Sequence, residues 1–228
     1  MMQLDIYQIT DMVDRSSINQ KEGERMNNAA LFKISYGLYL LTAKDTDKDN
    51  GCIINTVLQI TSNPPLVGII SVNKQNHTHD MIMSSKKFNI STLSTTTPFE
   101  VFKHFGFQSG KTLDKLAGYD GVKRSENGLV YLAEHANAYL SFEVIEALDF
   151  GTHTVFKADI VAGEVLSNAE TVTYNYYQQQ IKPKPQQAPA AKTGWRCKIC
   201  GYVYEGDPLP ADFICPLCKH GAVDFVKI

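Results

Sequence analysis

Short hydrophobic runs separated by polar segments fill the chain from residue 26 to about residue 181. Residues 28–35 and 77–85 are interpreted as helices, and apolar residues at helical spacing that begin with Pro98 predict a third helix at 98–105. The strand-like runs are 37–43, 51–60, 66–73, 88–93, 138–150 and 153–166. Strands predominate and helices are inserted between some of them. This pattern predicts a mainly β domain with inserted helices, and a closed antiparallel barrel in preference to a doubly wound sheet.

Two turns in this domain are predicted from local sequence. Residues 44–50 are polar, and Asn50-Gly51 is the sharpest hairpin signal between the first two strands. A second hairpin turn is predicted at 149–152, between the two long strands.

Composition changes sharply at both ends of the barrel-like region. Residues 1–25 are polar and mixed, and we expect them to be a poorly ordered extension. Residues 182–194 read KPKPQQAPAAKTG and are predicted to be an extended linker, because three prolines among Gln, Ala and Lys cannot form a core. The predicted domains are therefore 26–181 and 195–228.

Bulk composition narrows the class of protein. The 228 residues are 43% hydrophobic and 20% charged, with a formal net charge of −2. These values are typical of a globular protein and do not favour binding to nucleic acid or to an anionic membrane. The sequence has no apolar run of membrane-spanning length and no signal-peptide core, so we expect a cytoplasmic location. Cys52 has no pairing partner in the pattern and is interpreted as a small buried apolar residue.

Four cysteines near the end of the chain carry the clearest chemical signal. Cys197, Cys200, Cys215 and Cys218 follow the spacing C-x2-C-x14-C-x2-C. Two such pairs bring four thiolates to one tetrahedral metal, and soft sulfur ligands select zinc or iron. From the spacing alone, a structural zinc ribbon remains open. So small a domain also needs its metal for stability.

The residues around these cysteines resemble rubredoxin. They read WRCKICGYVYEGDPLPADFICPLC, with Gly201 at a position that suits positive φ. Trp195, Tyr202, Phe213 and Phe225 can form a small aromatic core. Two features depart from the family: the segment between the pairs is short, and Lys219 stands where glycine is usual. The resemblance implies one iron ion held by the four cysteines, in an electron carrier.

Several common catalytic motifs do not occur. The chain contains neither G-x-G-x-x-G nor G-x-S-x-G. Residues 106–112 (GFQSGKT) nearly form a Walker A loop, but they are one residue short and follow a helical segment. We interpret them as a polar turn with a basic residue.

A second resemblance covers residues 26–175. The segments GCIINTVLQITSNPPLVGIISVNKQNHTHDMI, FNISTLS, FKHFGFQSGK and GTHTVFKADIVAGEVL are similar, in order and spacing, to the flavin reductase family. That family has the FMN-binding split-barrel fold. The resemblance implies an FMN cofactor, NAD(P)H as electron donor, and a homodimer.

The same resemblance implies site residues. Asn55 and Thr56 begin a segment running past the flavin, with Val57 and Gln59 near its ring or ribityl chain. The phosphate is expected at Lys74, Asn76 and Thr78, beside the helix that starts near His77. A structural role for Asn55 and Thr56 is the alternative from the residues alone. His153, in GTHTVF, is expected near the flavin and nicotinamide, although lone histidines are often structural.

A flavin reductase-like domain followed by rubredoxin is similar to the proteins called high-molecular-weight rubredoxins. This implies electron flow from NAD(P)H through FMN to iron, and then to a soluble acceptor such as a flavodiiron protein that reduces nitric oxide or oxygen. Two alternatives stay open: a flavin or ferric reductase with a peripheral tail, and a non-enzymatic protein with a structural zinc ribbon.

Overall fold

The computed structural model describes residues 28–46, 48–183, 194–199, 201–216 and 220–228. The predicted extension 1–25, most of the predicted linker, and the positions of Cys200, Cys218 and Lys219 lie outside these ranges. The chain separates into two compact units, 1–35 and 36–228. In the first unit, Asn28–Lys33 forms a 3-10 helix where the sequence predicted a helix.

A seven-stranded antiparallel sheet forms the larger part of the second unit. Its strands are β1 (Tyr39–Asp45), β2 (Lys48–Ile54), β3 (Val57–Gln59), β4 (Val67–Asn73), β5 (Lys87–Leu93), β8 (Ala136–Asp149) and β9 (His153–Val165). The strand order is β2-β1-β5-β8-β9-β4-β3. Helix α1 (His77–Ser85) follows β4 and helix α2 (Phe99–Gly106) follows β5. Strands β6 (Val122–Arg124) and β7 (Val130–Leu132) form a separate hairpin. The predicted mainly β architecture with inserted helices is confirmed.

The barrel is split between β2 and β3. These two strands are the ends of the sheet, and no pairing joins them in the described part of the chain. Fully buried side chains from β1, β4, β5, β8 and β9 fill the interior: Leu41, Ile70, Phe88, Ile90, Phe142 and Phe156. A second apolar cluster lies under α2, where Val101, Phe102 and Phe105 pack with Leu40 and Leu93. The spacing of α2's apolar residues thus produced the buried helix that it predicted.

The predicted turn at Asn50-Gly51 is wrong. Both residues lie inside β2, and Gly51 pairs with Thr42. The chain reverses between Asp45 and Lys48, where Thr46 has a φ of 35°. Burial explains the shift: the Asn50 side chain is buried and hydrogen-bonded to Thr78, so it is not available for a solvent-exposed turn.

The predicted strand 51–60 is two strands. The break falls at Asn55 and Thr56, between β2 and β3. By contrast, the predicted hairpin at 149–152 is confirmed, with the Phe150 amide donating to the His153 carbonyl at 2.9 Å.

A short helical segment ends the barrel domain. Helix α3 (Tyr174–Tyr176) continues into one π-helical stretch, Tyr177–Ile181. No described helix has both the length and the hydrophobicity needed to cross a membrane.

The C-terminal segment forms a small sheet. Its strands are β10 (Trp195–Cys197), β11 (Val203–Tyr204) and β12 (Phe225–Lys227), in the order β11-β10-β12. Phe225 is buried, and Phe213 meets it edge-on with ring centroids 5.3 Å apart. Trp195 and Tyr202 pack against the same cluster, which confirms the predicted aromatic core.

Candidate flavin and metal sites

A polar cavity of about 240 Å³ lies where α1 begins. We call it the polar cavity. Its lining includes the end of β4, the start of α1 with Asn76, the buried face of β2, and the loop after α2. The lining residues used below are Asn50, Cys52, Asn76, His77, Thr78, Gly110 and Lys115.

The start of α1 is not capped by a side chain. Asn76 occupies the N-cap position in extended conformation, and its side chain makes no capping hydrogen bond. First-turn amides of a helix have no intrahelical partner, and the helix dipole adds partial positive charge there. Beside them, the Nδ1 atom of His77 is buried and has no hydrogen-bond partner among the described residues. This end of the cavity therefore suits an anion.

Lys115 contributes a buried cation to the same cavity. Its side chain is only 2% exposed, and Nζ donates to the carbonyls of Gly51 and Phe105, each at 2.8 Å. Burial lowers the pKa of Lys115, because desolvation disfavours the charged ammonium. The nearby thiol of Cys52 has a raised pKa, again chiefly from burial. Cys52 is buried as its sequence interpretation predicted.

A hydrogen-bond chain fixes the hydroxyl of Thr78. Asn50 Nδ2 donates to Thr78 Oγ1 at 2.9 Å, and both residues are buried. Gly110 lies against the Asn50 amide so closely that a Cβ at this position would overlap it. A glycine is therefore needed where the loop after α2 crosses β2. Cation, hydroxyl and unpaired amides together are the groups that hold a phosphate.

Asn76 and Thr78, two of the predicted phosphate residues, line this cavity. Lys74 is not among its lining residues. Its ammonium instead pairs with Asp149 at 2.6 Å, and this contact is the main reason that the pKa of Asp149 is lowered. A phosphate role for Lys74 stays a prediction.

The residues predicted near the flavin ring lie around the gap between β2 and β3. Thr56 Oγ1 donates to Asn55 Oδ1 at 3.1 Å, and Asn55 lines a second cavity of about 280 Å³. Val57 is half-buried, whereas Gln59 is exposed and donates to the Thr61 carbonyl. Flavin contacts for all four residues stay predictions.

His153 begins β9 and pairs in register with Asn73, at the end of β4. Its ring is half-buried, and Nδ1 lies 2.9 Å from Thr152 Oγ1. Its predicted role at the nicotinamide stays a prediction.

Besides Asn50, which was predicted to lie in a turn, the polar cavity has two further contributors that were not identified from the sequence. Residues 106–110, interpreted as part of a simple polar turn, form one wall, although they are not a strand-to-helix phosphate loop. Lys115 was missed because KTLDKLAG has no periodicity that would reveal a buried lysine. The only signal was the glycine and serine content after α2.

The described residues include only two of the four cysteines predicted to bind the metal. Cys197 and Cys215 are 1% and 0% exposed and belong to one cluster, whereas Cys200 and Cys218 lie outside the described residues. Among the residues that are described, no set of three or more potential metal ligands comes together. Gly201 has a φ of 79°, as predicted, and its amide donates to the Cys197 carbonyl at 2.9 Å. Two buried thiols beside this tight turn fit a tetrathiolate site.

Comparison with known families agrees with this division. Residues 31–184 match the flavin reductase like domain, and residues 195–226 match the rubrerythrin, rubredoxin-like domain. The chain belongs to the flavin reductase-like family. Its members' fold accounts for the split barrel, and the second match covers both cysteine pairs. The chain is thus an oxidoreductase of the flavin reductase type with a rubredoxin-like domain.

Two curated relatives and one solved structure show how similar the chain is to known proteins. High molecular weight rubredoxin of Moorella thermoacetica is 39% identical, over 89% of this chain and 100% of its own length. A ferric-chelate reductase (NAD(P)H) of Archaeoglobus fulgidus is 38% identical, over 70% of this chain and 93% of its own. The NADH:FAD oxidoreductase SgcE6 of Streptomyces globisporus is 17% identical, with a TM-score of 0.57 over 70% of this chain and 88% of that one. The last comparison shows likeness of fold.

Proposed function

We propose that the chain passes electrons from NAD(P)H through FMN in the barrel to one rubredoxin-type iron, and then to a soluble acceptor. The polar cavity at the start of α1 carries this proposal, because its groups match the needs of a flavin phosphate. A nicotinamide donates a hydride, whereas a tetrathiolate iron accepts one electron, and FMN can accept the pair and release it singly.

In this proposal, the barrel domain binds FMN and orients the nicotinamide of NAD(P)H beside it. Thr78 and the first amides of α1 would hold the phosphate, and Lys115, which lines the same cavity, would supply the positive charge. Asn55, Thr56, Val57 and Gln59, at the gap between β2 and β3, would lie along the rest of the cofactor. His153 would orient the nicotinamide from the β8–β9 end. Lys74 is the alternative cation, and the two lysines can be told apart by substitution.

The rubredoxin-like domain supplies the one-electron site. Cys197, Cys200, Cys215 and Cys218 would hold one iron. Burial of the two described thiols supports this, since exclusion of water and hydrogen bonds to sulfur are what tune such a site. The linker 182–194 raises the local concentration of this domain at the barrel. We propose the boundaries 26–181 and 195–228 for the two domains, with 1–25 as an extension.

Stopped-flow absorbance tests the relay. With excess NADH, loss of the flavin bands should precede loss of the iron's visible bands in the full chain. A chain ending at Ile181 should still take up hydride but should lose rapid delivery to an added acceptor. Equal delivery by both chains would overturn the relay and favour a stand-alone flavin or ferric reductase, a function in which the Archaeoglobus relative offers the precedent.

We further propose that the protein is a homodimer in the cytoplasm and that its acceptor is a flavodiiron protein. Large apolar side chains on β8, on β9 and in the turn between them are exposed, including Ile145, Phe150 and Val165. Such a surface favours burial against a second copy. Light scattering during size-exclusion chromatography tests the dimer. Oxygen or nitric oxide consumption with a purified flavodiiron protein tests the acceptor, and absence of NADH-dependent consumption would exclude it.

A further inference from the structure

Lys182 joins the barrel domain to the first cysteine pair. Its Nζ donates to the backbone carbonyl of Ile199 at 2.5 Å, in a partly buried contact. Lys182 directly follows the π-helical stretch Tyr177–Ile181, and Ile199 lies between Cys197 and Cys200 in the sequence. The lysine therefore places a positive charge on the backbone of a metal-binding turn.

The contact borders the 280 Å³ cavity, which we call the seam cavity. Its barrel side includes Ile54, Asn55 and Phe107, and its other side includes Ile199 and His220. Gly106 and Phe107 also line the polar cavity, so the two cavities have a common wall. The turn that carries Cys197 is thus seated beside the strand end at which Asn55 begins the proposed flavin segment.

We propose that Lys182 is a docking residue that seats the rubredoxin-like domain in position to receive electrons and raises the reduction potential of its iron while it is seated. The proposal rests on the proposed function. A ferric ion with four thiolates carries one net negative charge, and adding one electron makes it two, with no proton moved and no bond broken. A nearby ammonium stabilises the more negative state.

This arrangement has a direct consequence for electron transfer. The seated domain is the better electron acceptor, whereas the same domain away from Lys182 is the stronger donor to an external partner. By linkage, reduction also tightens seating by the same factor by which seating favours reduction. Release of the reduced domain from Lys182 must then be driven by its binding to the surface of the acceptor.

Two measurements on the full-length holoprotein test this without NAD(P)H. Lys182→Met removes the ammonium and keeps the length of the side chain. Lys103→Met is the matched control, because Lys103 is exposed on α2 and makes the same change in net charge. Small-angle X-ray scattering should show a larger radius of gyration for K182M than for the unsubstituted protein and K103M. Lys182→Arg should stay as compact as the unsubstituted protein.

The second measurement is a redox titration of the iron's visible absorbance with chemical mediators. The midpoint potential should shift to a more negative value in K182M and stay unchanged in K103M. Unchanged scattering or an unchanged potential in K182M would overturn the proposal. Neither measurement depends on electron flow from NAD(P)H, so both can be interpreted even if the proposed relay is wrong. Conversely, if Lys182 has no docking role, the stopped-flow test of the relay is unaffected.

Discussion

Lys115 Nζ donates to the carbonyl of Gly51 at 2.8 Å, and this contact ties the loop after α2 to the inside of β2. A second bond to the Phe105 carbonyl, also 2.8 Å, ties the same ammonium to the end of α2. Burying a charge is unfavourable unless hydrogen bonds compensate it. Two carbonyls do so in part, and a bound phosphate would complete the compensation.

Lys115→Met should therefore weaken FMN binding strongly. Charged hydrogen bonds contribute about 1.5–3 kcal/mol each, so affinity should fall at least about tenfold. Fluorescence titration of FMN into apoprotein measures it. Lys74→Met provides the comparison, because Lys74 is paired with Asp149 and does not line the polar cavity.

The two lysines give opposite results under the competing assignments. If K74M loses affinity and K115M does not, Lys74 holds the phosphate and our assignment is wrong. Because K115M also removes two structural bonds, its far-ultraviolet circular dichroism and thermal unfolding must accompany the titration.

Thr78→Val should cost both stability and FMN affinity. Valine keeps the shape of the side chain but removes the hydroxyl that accepts from Asn50 Nδ2 at 2.9 Å. A buried amide without its acceptor costs about 1–3 kcal/mol, measurable by urea unfolding of the apoprotein. Thr78→Ser is the control, since it keeps the hydroxyl. Equal loss in both variants would mean that the methyl group, and not the hydroxyl, matters.

The fold was largely predictable because its signals are local. The apolar spacing of 98–105 and the run 77–85 gave helices within one residue of the observed ends. The Asn50-Gly51 turn failed because its residues serve a tertiary purpose: Asn50 reaches Thr78, and Gly51 presents its carbonyl to Lys115. Turn propensity cannot register contacts formed 28 or 64 positions away along the chain.

The residues of the candidate sites show the same difference between local sequence signals and tertiary contacts. The four cysteines proposed to bind the metal could be picked out because paired C-x2-C spacing is itself typical of a tetrathiolate site. Asn76 and Thr78 were reached through a family resemblance, and they lie together at the start of α1. Lys115 and Gly110 were not reached, because their importance comes from the loop after α2 folding back on β2.

Cys215→Ser should remove the visible spectrum of the iron and unfold the small domain. The thiol is fully buried in its cluster, and in a domain this small, metal binding is a large part of the folding free energy. Metal analysis with visible absorption of the natively purified protein measures it. Cys52→Ser is the matched control in the barrel and should keep one iron. A full complement of zinc with no iron in the unsubstituted protein would contradict the electron-carrier assignment.

His153→Gln should slow flavin reduction by NADH while FMN stays bound. The ring lies at the start of β9 beside Thr152, at the hairpin end of the barrel. A residue that orients the nicotinamide should raise KM or lower the rate of hydride uptake, on the order of 10² at most for a misplaced donor. His135→Gln is the control, because His135 is exposed. Unchanged rates in H153Q would make His153 a structural residue.

Tyr177→Phe should flatten the alkaline stability profile of the protein. Burial raises the pKa of Tyr177 to about 12, with a smaller contribution from Tyr174. The unfolded side chain titrates near its ordinary value of about 10, so above that pH the unfolded state loses its proton while the folded state keeps it. The unfolded state then binds fewer protons, and stability falls as pH rises from about 10 to about 12. The contribution is full below pH 10 and is at most about 2–3 kcal/mol, at 1.36 kcal/mol for each pKa unit.

Phenylalanine keeps the ring contact with Phe102, at 4.6 Å between centroids, but has no proton to lose. Urea unfolding at pH 9 and pH 11 should therefore show a larger drop for the unsubstituted protein than for Y177F, by about 1 kcal/mol. The difference between the two proteins cancels the other groups that titrate in this range, and an equal drop in both would contradict the assignment.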